Sequence, residues 1–199
     1  MEIELKYKLL SHLLADKIWK DFGGQGVGCK YSGAYYDTPD MGLAKKDVIF
    51  RIRSEEEACI ATMKWNAVED FGLYEREEVD VNLGPNPPNQ IDREIFRGTK
   101  AFDIVSDISG DLLQCINVDF IRRKKVVSFG QSLVELAIDM GNITAGKGKS
   151  PICELEIELK EGNKEDLVAL GKEIVEKYSL EPEKSSKFAR GKKLLNEEI

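Results

Sequence analysis

MEIELKYKL opens the chain with Glu2, Glu4, Lys6 and Lys8 at every second position and Ile3, Leu5, Tyr7 and Leu9 between them. A period of two predicts a β-strand with one polar and one apolar face. The pattern recurs. DVIFRIRS puts Arg51 and Arg53 opposite Phe50 and Ile52, and ATMKW puts Thr62 and Lys64 opposite Met63 and Trp65. In YEREEVDV, Arg76, Glu78 and Asp80 are in phase, and in VELAID Glu135 and Asp139 oppose Val134, Leu136 and Ile138. CELEIELK sets Glu154, Glu156, Glu158 and Lys160 against Leu155, Ile157 and Leu159.

Between these strands the breaks are clear. SHLLADKIWKDFGG predicts a short amphipathic helix with Ser11 as N-cap and Gly23 as its stop. YSGAYYDT, DVIFRIRS, ACIATMKW and LYEREEVDVNL read as a meander with turns at PDMG and EEE, and GPNPPN (84–89) is the strongest interruption. Two short helical stretches fall within 90–109. INVDFIRRKKVVSF and SLVELAIDMG then resemble a hairpin around Gly130, and a turn-rich GNITAGKGKSP precedes ICELEIELK. Asn163 is placed to cap a helix, with Asp166 completing a capping box, and a last helix runs from about Ser186 to Asn196. No internal repeat is visible, so a single domain over 1–199 is expected.

A solvated polar face is the usual outcome for one alternating strand. Here the polar faces are sorted by sign. Glu2 with Glu4, and Glu154 with Glu156 and Glu158, are carboxylate faces; Arg51 with Arg53, and Arg122 with Lys124, are cationic. Carboxylates two apart on a strand repel unless a cation lies between them, and such strands can hold hard divalent metals through oxygen. Arginines and lysines two apart favour a multiply charged anion, with bidentate donors for phosphate. Both kinds together describe a metal–polyphosphate site. A closed barrel with a charged lumen, its apolar faces turned outward toward covering helices, satisfies all of this.

Composition narrows the field. The 199 residues are 42% hydrophobic and 33% charged, with a net charge of −7, which argues against a general nucleic-acid or anionic-membrane binder. Cys29, Cys59, Cys115 and Cys153 are scattered, with no CxxC pair, which points to a reducing compartment rather than a zinc site or disulfide framework. Charges begin at Glu2 and no apolar run approaches membrane-spanning length, so neither leader nor anchor is expected and the location is read as cytoplasmic. The lone histidine, His12, reads as a surface residue of the first helix, which leaves a phosphohistidine mechanism unattractive. GNITAGKGKS nearly spells a P-loop, but Gly148 stands where Ser or Thr is required and Pro151 and a strand follow, so it reads as a hairpin turn.

EIELK near the start is the ExExK signature of the CYTH superfamily, the triphosphate tunnel metalloenzymes. YYDTPDMGL, FRIR, the TMK around Lys64, YEREE, VDFIRRKKVV, VELAIDMGNITAG, PICELEIELKEG and SSKFARGKKLL resemble the same family in the same order over nearly the whole chain. The later half looks most like the bacterial inorganic triphosphatase branch; the helical CHAD domain that follows in many of its members is not expected after SSKFARGKKLL. The resemblance implies an α+β fold built on a closed eight-stranded antiparallel barrel covered by helices, which hydrolyses triphosphate with Mg²⁺ or Mn²⁺, two ions during turnover.

Carried over by position, Glu2, Glu4, Asp139, Glu154, Glu156 and Glu158 would be metal ligands. Lys6, Arg51, Arg53, Lys64, Arg76, Arg122, Lys124, Lys187 and Arg190 would grip phosphates, with Lys8 continuing the face. RRKK leaves the register of its strand open. Glu78, in the family's RxE position, would orient Arg76 or the attacking water. Glu4, Lys6, Arg51, Arg53, Glu78 and Glu156 form the implied catalytic set. The expected partner is a small-molecule triphosphate, with no nucleic acid or membrane, and the chain would act as a monomer or homodimer. The alternatives are a class IV adenylate cyclase, a thiamine or nucleoside triphosphatase, or a non-catalytic polyphosphate binder.

Overall fold

The computed structural model describes residues 1–55, 58–70, 72–86, 91–106 and 108–197. In chain order its strands are β1 (Glu2–Lys8), β2 (Cys29–Asp37), β3 (Ile49–Glu55), β4 (Ala58–Asp70), β5 (Leu73–Asn82), β6 (Leu113–Phe129), β7 (Ser132–Ala145), β8 (Gly148–Glu161) and the two-residue β9 (Glu181–Pro182). The helices are α1 (His12–Asp21), α2 (Gly42–Lys45), α3 (Lys100–Val105), α4 (Lys164–Tyr178) and α5 (Lys187–Asn196), with one 3-10 turn at Arg93–Phe96.

Eight strands close into an antiparallel barrel in the order β1–β5–β4–β3–β2–β6–β7–β8, with β1 pairing both β5 and β8. Closure leaves the ring without a free edge. β9 pairs outside the ring, with Pro182 opposite Tyr7 and Glu181 opposite Lys8. Pairing runs through Phe129↔Ser132 and Ala145↔Gly148, so both hairpins turn on two residues. Each turn begins on a glycine at positive φ, Gly130 at 58° and Gly146 at 53°. Most of GNITAGKGKSP is therefore strand, and only Gly146 and Lys147 turn.

The apolar faces point outward as the alternation requires. Leu5 and Tyr7 of β1, Leu136 and Ile138 of β7 and Leu155 and Ile157 of β8 form one core with Ile18 and Trp19 of α1 and Leu167, Leu170 and Ile174 of α4. A second core joins Phe50, Ile52, Ala61, Met63 and Trp65 of β3 and β4 to Phe96, Ala101 and Val105. A third joins Tyr31, Tyr35, Ile116, Val118 and Phe120 to Phe188, which brings α5 against inner-face residues.

Local signals set the helix ends. Ser11, Asn163 and Ser186 accept from the backbone N–H three residues on, as N-caps do. The capping box at α4 is half formed. Asp166 does not return to the Asn163 N–H, which donates to Ser132 Oγ instead; its carboxylate accepts from Gln131 N and Ser132 Oγ and so ties α4 to the β6–β7 turn. Among the described residues no helix is long and apolar enough to cross a membrane.

Candidate active site

The polar faces converge on a cavity of about 200 Å³ inside the barrel. Its wall carries nine basic and seven acidic side chains, so it is rich in both signs with cations in slight excess. Strand register decides who meets whom. On β1 and β8, Glu4 lies opposite Glu158, Lys6 opposite Glu156 and Lys8 opposite Glu154. Lys6 therefore stands between two carboxylates, 3.1 Å from Glu4 and 3.0 Å from Glu156.

The acids gathered around the cavity are each paired with a cation. Lys64 Nζ donates to both oxygens of Glu2, at 2.8 and 2.7 Å, and pairs with Glu78 at 2.8 Å. Arg76 bridges Glu2 at 3.2 Å and Glu4 at 2.9 Å. Arg122 donates through Nε and Nη2 to Asp139, at 2.7 and 2.6 Å, and reaches Glu156 at 2.5 Å. Rings support these cations: Arg122 lies 5.6 Å from the Tyr31 ring and 5.5 Å from the Phe120 ring, while Lys6 and Arg76 face Tyr74.

Asp139, Glu154 and Glu156 form a tight trio, with one oxygen of each within 4.8 Å of the others. They are 0%, 1% and 7% exposed. Lys187, the first residue of α5, sends its ammonium among them, 2.7 Å from Asp139, 2.9 Å from Glu156 and in contact with Glu154. Arg190, one turn later, spans Glu154 at 3.1 Å and Glu183 at 3.4 Å.

Burial acts against the charges of Glu156, Lys187 and Glu2, and their partners overcome it. Desolvation would raise the Glu156 carboxyl, yet Lys187, Lys6 and Arg122 hold it well below the usual carboxylate range. Desolvation likewise opposes charge on Lys187, which Asp139, Glu154 and Glu156 push well above an ordinary lysine. Glu2 is lowered in the same way, its burial outweighed chiefly by Lys64.

Among the described residues Arg51 differs from this pattern. It lines the cavity, its Nε is buried without a hydrogen-bond partner, and it makes no ion pair with another described residue. A half-buried guanidinium left in this state is placed for an incoming anion.

Residues 1–191 match the CYTH domain family along their length. The chain belongs to the CYTH domain family. Over 135 residues it is 38% identical to an inorganic triphosphatase of Haemophilus influenzae, an alignment that takes in 67% of this chain and 37% of that protein. Two solved structures share the fold. HpAC1 from Hippeastrum, reported as an adenylyl cyclase candidate with a dominant triphosphatase activity, superposes with a TM-score of 0.69 at 18% identity, covering 97% of this chain and 96% of its own. The PH1819 protein of Pyrococcus horikoshii OT3 gives 0.61 at 20% identity over the whole of both chains.

Within the CYTH barrel, Glu2, Glu4, Lys6, Arg51, Arg53, Lys64, Arg76, Glu78, Arg122, Lys124, Glu156, Glu158 and Lys187 all line the cavity. Asp139, Glu154 and Arg190 lie behind that wall and reach it through Lys187 and Arg122. Lys8 does not join them; it is exposed at the end of β1 and lies outside the lining. Glu78 pairs with Lys64 where the family position suggested Arg76. The RRKK register resolves with Arg122 and Lys124 inward. Arg123 packs outward on Trp19 and Asp16, and Lys125 donates to the Phe22 and Gly23 carbonyls at the end of α1, where a cation is favoured.

Asp80, Glu135 and Lys160 also line the cavity, and their phase along β5, β7 and β8 already put them on the polar face. Ile49, Ser186 and the rings of Tyr31, Tyr35, Phe120 and Phe188 complete it. Phe120 keeps step with Arg122 and Lys124, which is the signal that could have found it.

Glu158 carries a testable imbalance. Burial raises its carboxyl above the ordinary value, Lys160 offsets this only in part, and Glu2 and Glu4 add repulsion. A carboxyl raised on folding contributes stability below its unfolded pKa of about 4.3 and loses it as pH rises through the folded value, so at neutral pH the charge is a cost. Glu158→Gln is expected to raise the metal-free melting temperature at pH 7 by a few degrees, about 1 kcal/mol at most given its partial exposure. The gain should vanish below about pH 4. A drop in melting temperature at pH 7 would contradict this.

Proposed function

We propose that this CYTH domain hydrolyses inorganic triphosphate to pyrophosphate and phosphate inside the barrel, with Mg²⁺ or Mn²⁺. The observation that carries the reading is the sign-sorted lumen. Acids of β1, β7 and β8 and cations of β3, β4 and β6 surround a cavity of about 200 Å³ in which Arg51 makes no ion pair among the described residues. A barrel selected for stability alone would gain little from so many buried charges, since paired ions recover their desolvation cost poorly. The Haemophilus relative's name supports the substrate, and the chain spans about 37% of that protein's length.

Hard carboxylate oxygens suit either ion, and Glu2, Glu4, Asp139, Glu154, Glu156 and Glu158 would hold it. When bound, the metal would neutralise charge on the phosphate oxygens. The chain's own work is positioning. Arg51 and Arg53 on β3, Lys64 on β4 and Arg122 and Lys124 on β6 would hold the phosphates in line, because phosphoryl transfer asks chiefly for alignment and charge stabilisation. The scattered cysteines favour a reducing, cytoplasmic setting, and 1–199 is read as a single CYTH domain.

A second reading rests on a neighbouring pocket of about 190 Å³ lined by Ala44, Val48, Ile49, Ala67 and Phe188, which shares Ile49, Arg76, Ser186 and Phe188 with the lumen. It would admit the organic part of ATP or thiamine triphosphate. Phosphate release should therefore be measured with Mg²⁺, Mn²⁺ or Ca²⁺ on inorganic triphosphate, pyrophosphate, long polyphosphate, ATP and thiamine triphosphate, with cyclic AMP followed alongside. Inorganic triphosphate is expected to be the best substrate, with EDTA abolishing turnover. Glu4→Gln should lose at least about a hundredfold in rate while keeping its fold. No turnover on any substrate, or near-normal rates for Glu4→Gln, would overturn the assignment.

A further inference from the structure

We infer that the Asp139–Glu154–Glu156 trio is one cation seat used in turn by the Lys187 ammonium and by a divalent ion, so that filling it with metal draws Lys187 and the first turn of α5 away from the trio. The inference rests on the metal-dependent reading above and adds a role for α5. The trio has oxygen donors at metal-ligating spacing, and a cation already stands among them: Lys187 Nζ lies 2.7 Å from Asp139 Oδ2 and 2.9 Å from Glu156 Oε1, and also contacts Glu154.

Two cations do not share that space. Metal–oxygen contacts of about 2.1 Å draw the carboxylates inward, and the ammonium left among them would meet a doubly charged ion at contact range. The cations of the barrel wall have further partners to hold them. Arg122 shares Asp139 Oδ2 with Lys187 but also grips Asp139 Oδ1 and Glu156 Oε2, and Lys6 shares Glu156 Oε1 but also pairs with Glu4; Arg190, in the same turn as Lys187, keeps Glu183 as a second partner. Lys187 stands at the start of its element. It opens α5 directly after the Ser186 cap, so one side chain and one helical turn take up the movement.

The displaced ammonium remains in the cavity lining, where an anionic substrate would meet it. Metal loading thus hands a lysine from the protein's carboxylates to the phosphates, and α5 becomes the element that senses whether the seat is filled. If Lys187 were only a permanent structural counter-ion, metal would bind elsewhere and α5 would stay in place.

The test is Mn²⁺ affinity of the whole chain without substrate, read from the electron paramagnetic resonance signal of free Mn²⁺, for the wild type, Lys187→Gln and Lys187→Arg. Lys187→Gln is expected to bind Mn²⁺ at least about tenfold more tightly, while Lys187→Arg, which keeps the charge, stays close to wild type. Unchanged or weaker binding by Lys187→Gln would overturn the inference. Hydrogen exchange on the wild type keeps the test open if that variant fails to fold. Saturating Mn²⁺ should lower protection across Lys187–Asn196, and equal or greater protection with Mn²⁺ bound would overturn the inference. Triphosphate hydrolysis by the wild type, measured in parallel, separates the two levels. Intact turnover with unaltered Lys187→Gln affinity defeats this inference alone, whereas absent turnover with every metal defeats the function it rests on.

Discussion

Glu156→Gln is expected to abolish triphosphate hydrolysis and to destabilise the protein by about 3–5 kcal/mol. Glu156 is the carboxylate on which the two halves of the lumen meet: Lys6 of β1, Arg122 of β6 and Lys187 of α5 all pair with it. An amide of the same shape fills the space but leaves three buried cations facing a neutral group. Removing one member of a buried ionic cluster costs more than the pair was worth, because the others stay desolvated. For a chain of this size the loss corresponds to a fall in melting temperature of roughly 6–20 °C. The pH dependence follows from the direction of its shift. Held well below the ordinary carboxylate range, Glu156 contributes stability that is fully present above about pH 4.3 and is lost only as pH falls through its depressed folded value. Thermal melts of wild type and variant should therefore stay apart from neutral pH to below pH 4 and converge only in stronger acid. A variant as stable as wild type at pH 7 would show that the network is ornamental.

Arg51→Ala is expected to do the opposite to stability and nearly the same to activity. Arg51 has no carboxylate to leave stranded among the described residues, and its buried Nε has no hydrogen-bond partner. Removing it should leave the melting temperature within a few degrees of wild type, or raise it, since the guanidinium's desolvation goes unrewarded in the free protein. With substrate bound the same group would hold phosphate oxygens. Its loss should lower kcat/KM for triphosphate by about 10²–10³, the usual cost of removing a positioned donor from developing charge. Steady-state phosphate release and differential scanning calorimetry on the same preparation check both halves. A large loss of stability with intact activity would move Arg51 from the substrate to the scaffold.

Much of this barrel can be read from alternation alone, because polar faces so strictly sorted by sign fit an enclosed lumen better than a solvated surface. The outward faces of β1, β7 and β8 and their packing on α1 and α4 follow from the same period. GNITAGKGKSP reads as turn-rich because glycine usually marks a break, yet Gly141 lies inside β7. There a Cβ would come within 2.1 Å of the Asp119 carbonyl oxygen, so this glycine serves close backbone approach rather than a turn. β9 has two residues and carries no periodicity at all. The pairings inside the lumen are the least legible part. Glu78 meets Lys64 because β4 and β5 set them side by side, and Lys187 reaches the trio because α5 packs across β6, β7 and β8. Stagger between strands distant in sequence decides such partners, and no local pattern encodes it. The inward and outward directions within RRKK are set in the same way, by Asp16 and Trp19 of α1 on one side and Asp139 on the other.

Triphosphate is expected to bind within the barrel rather than on it. A crystal structure of Glu4→Gln grown with Mn²⁺ and inorganic triphosphate tests this most directly. Three linked phosphates are expected in the lumen, with oxygens in contact with Arg51 and Arg53 on one side and Arg122 and Lys124 on another. An empty lumen at saturating triphosphate, or phosphate density confined to the outer faces of the barrel, would contradict it.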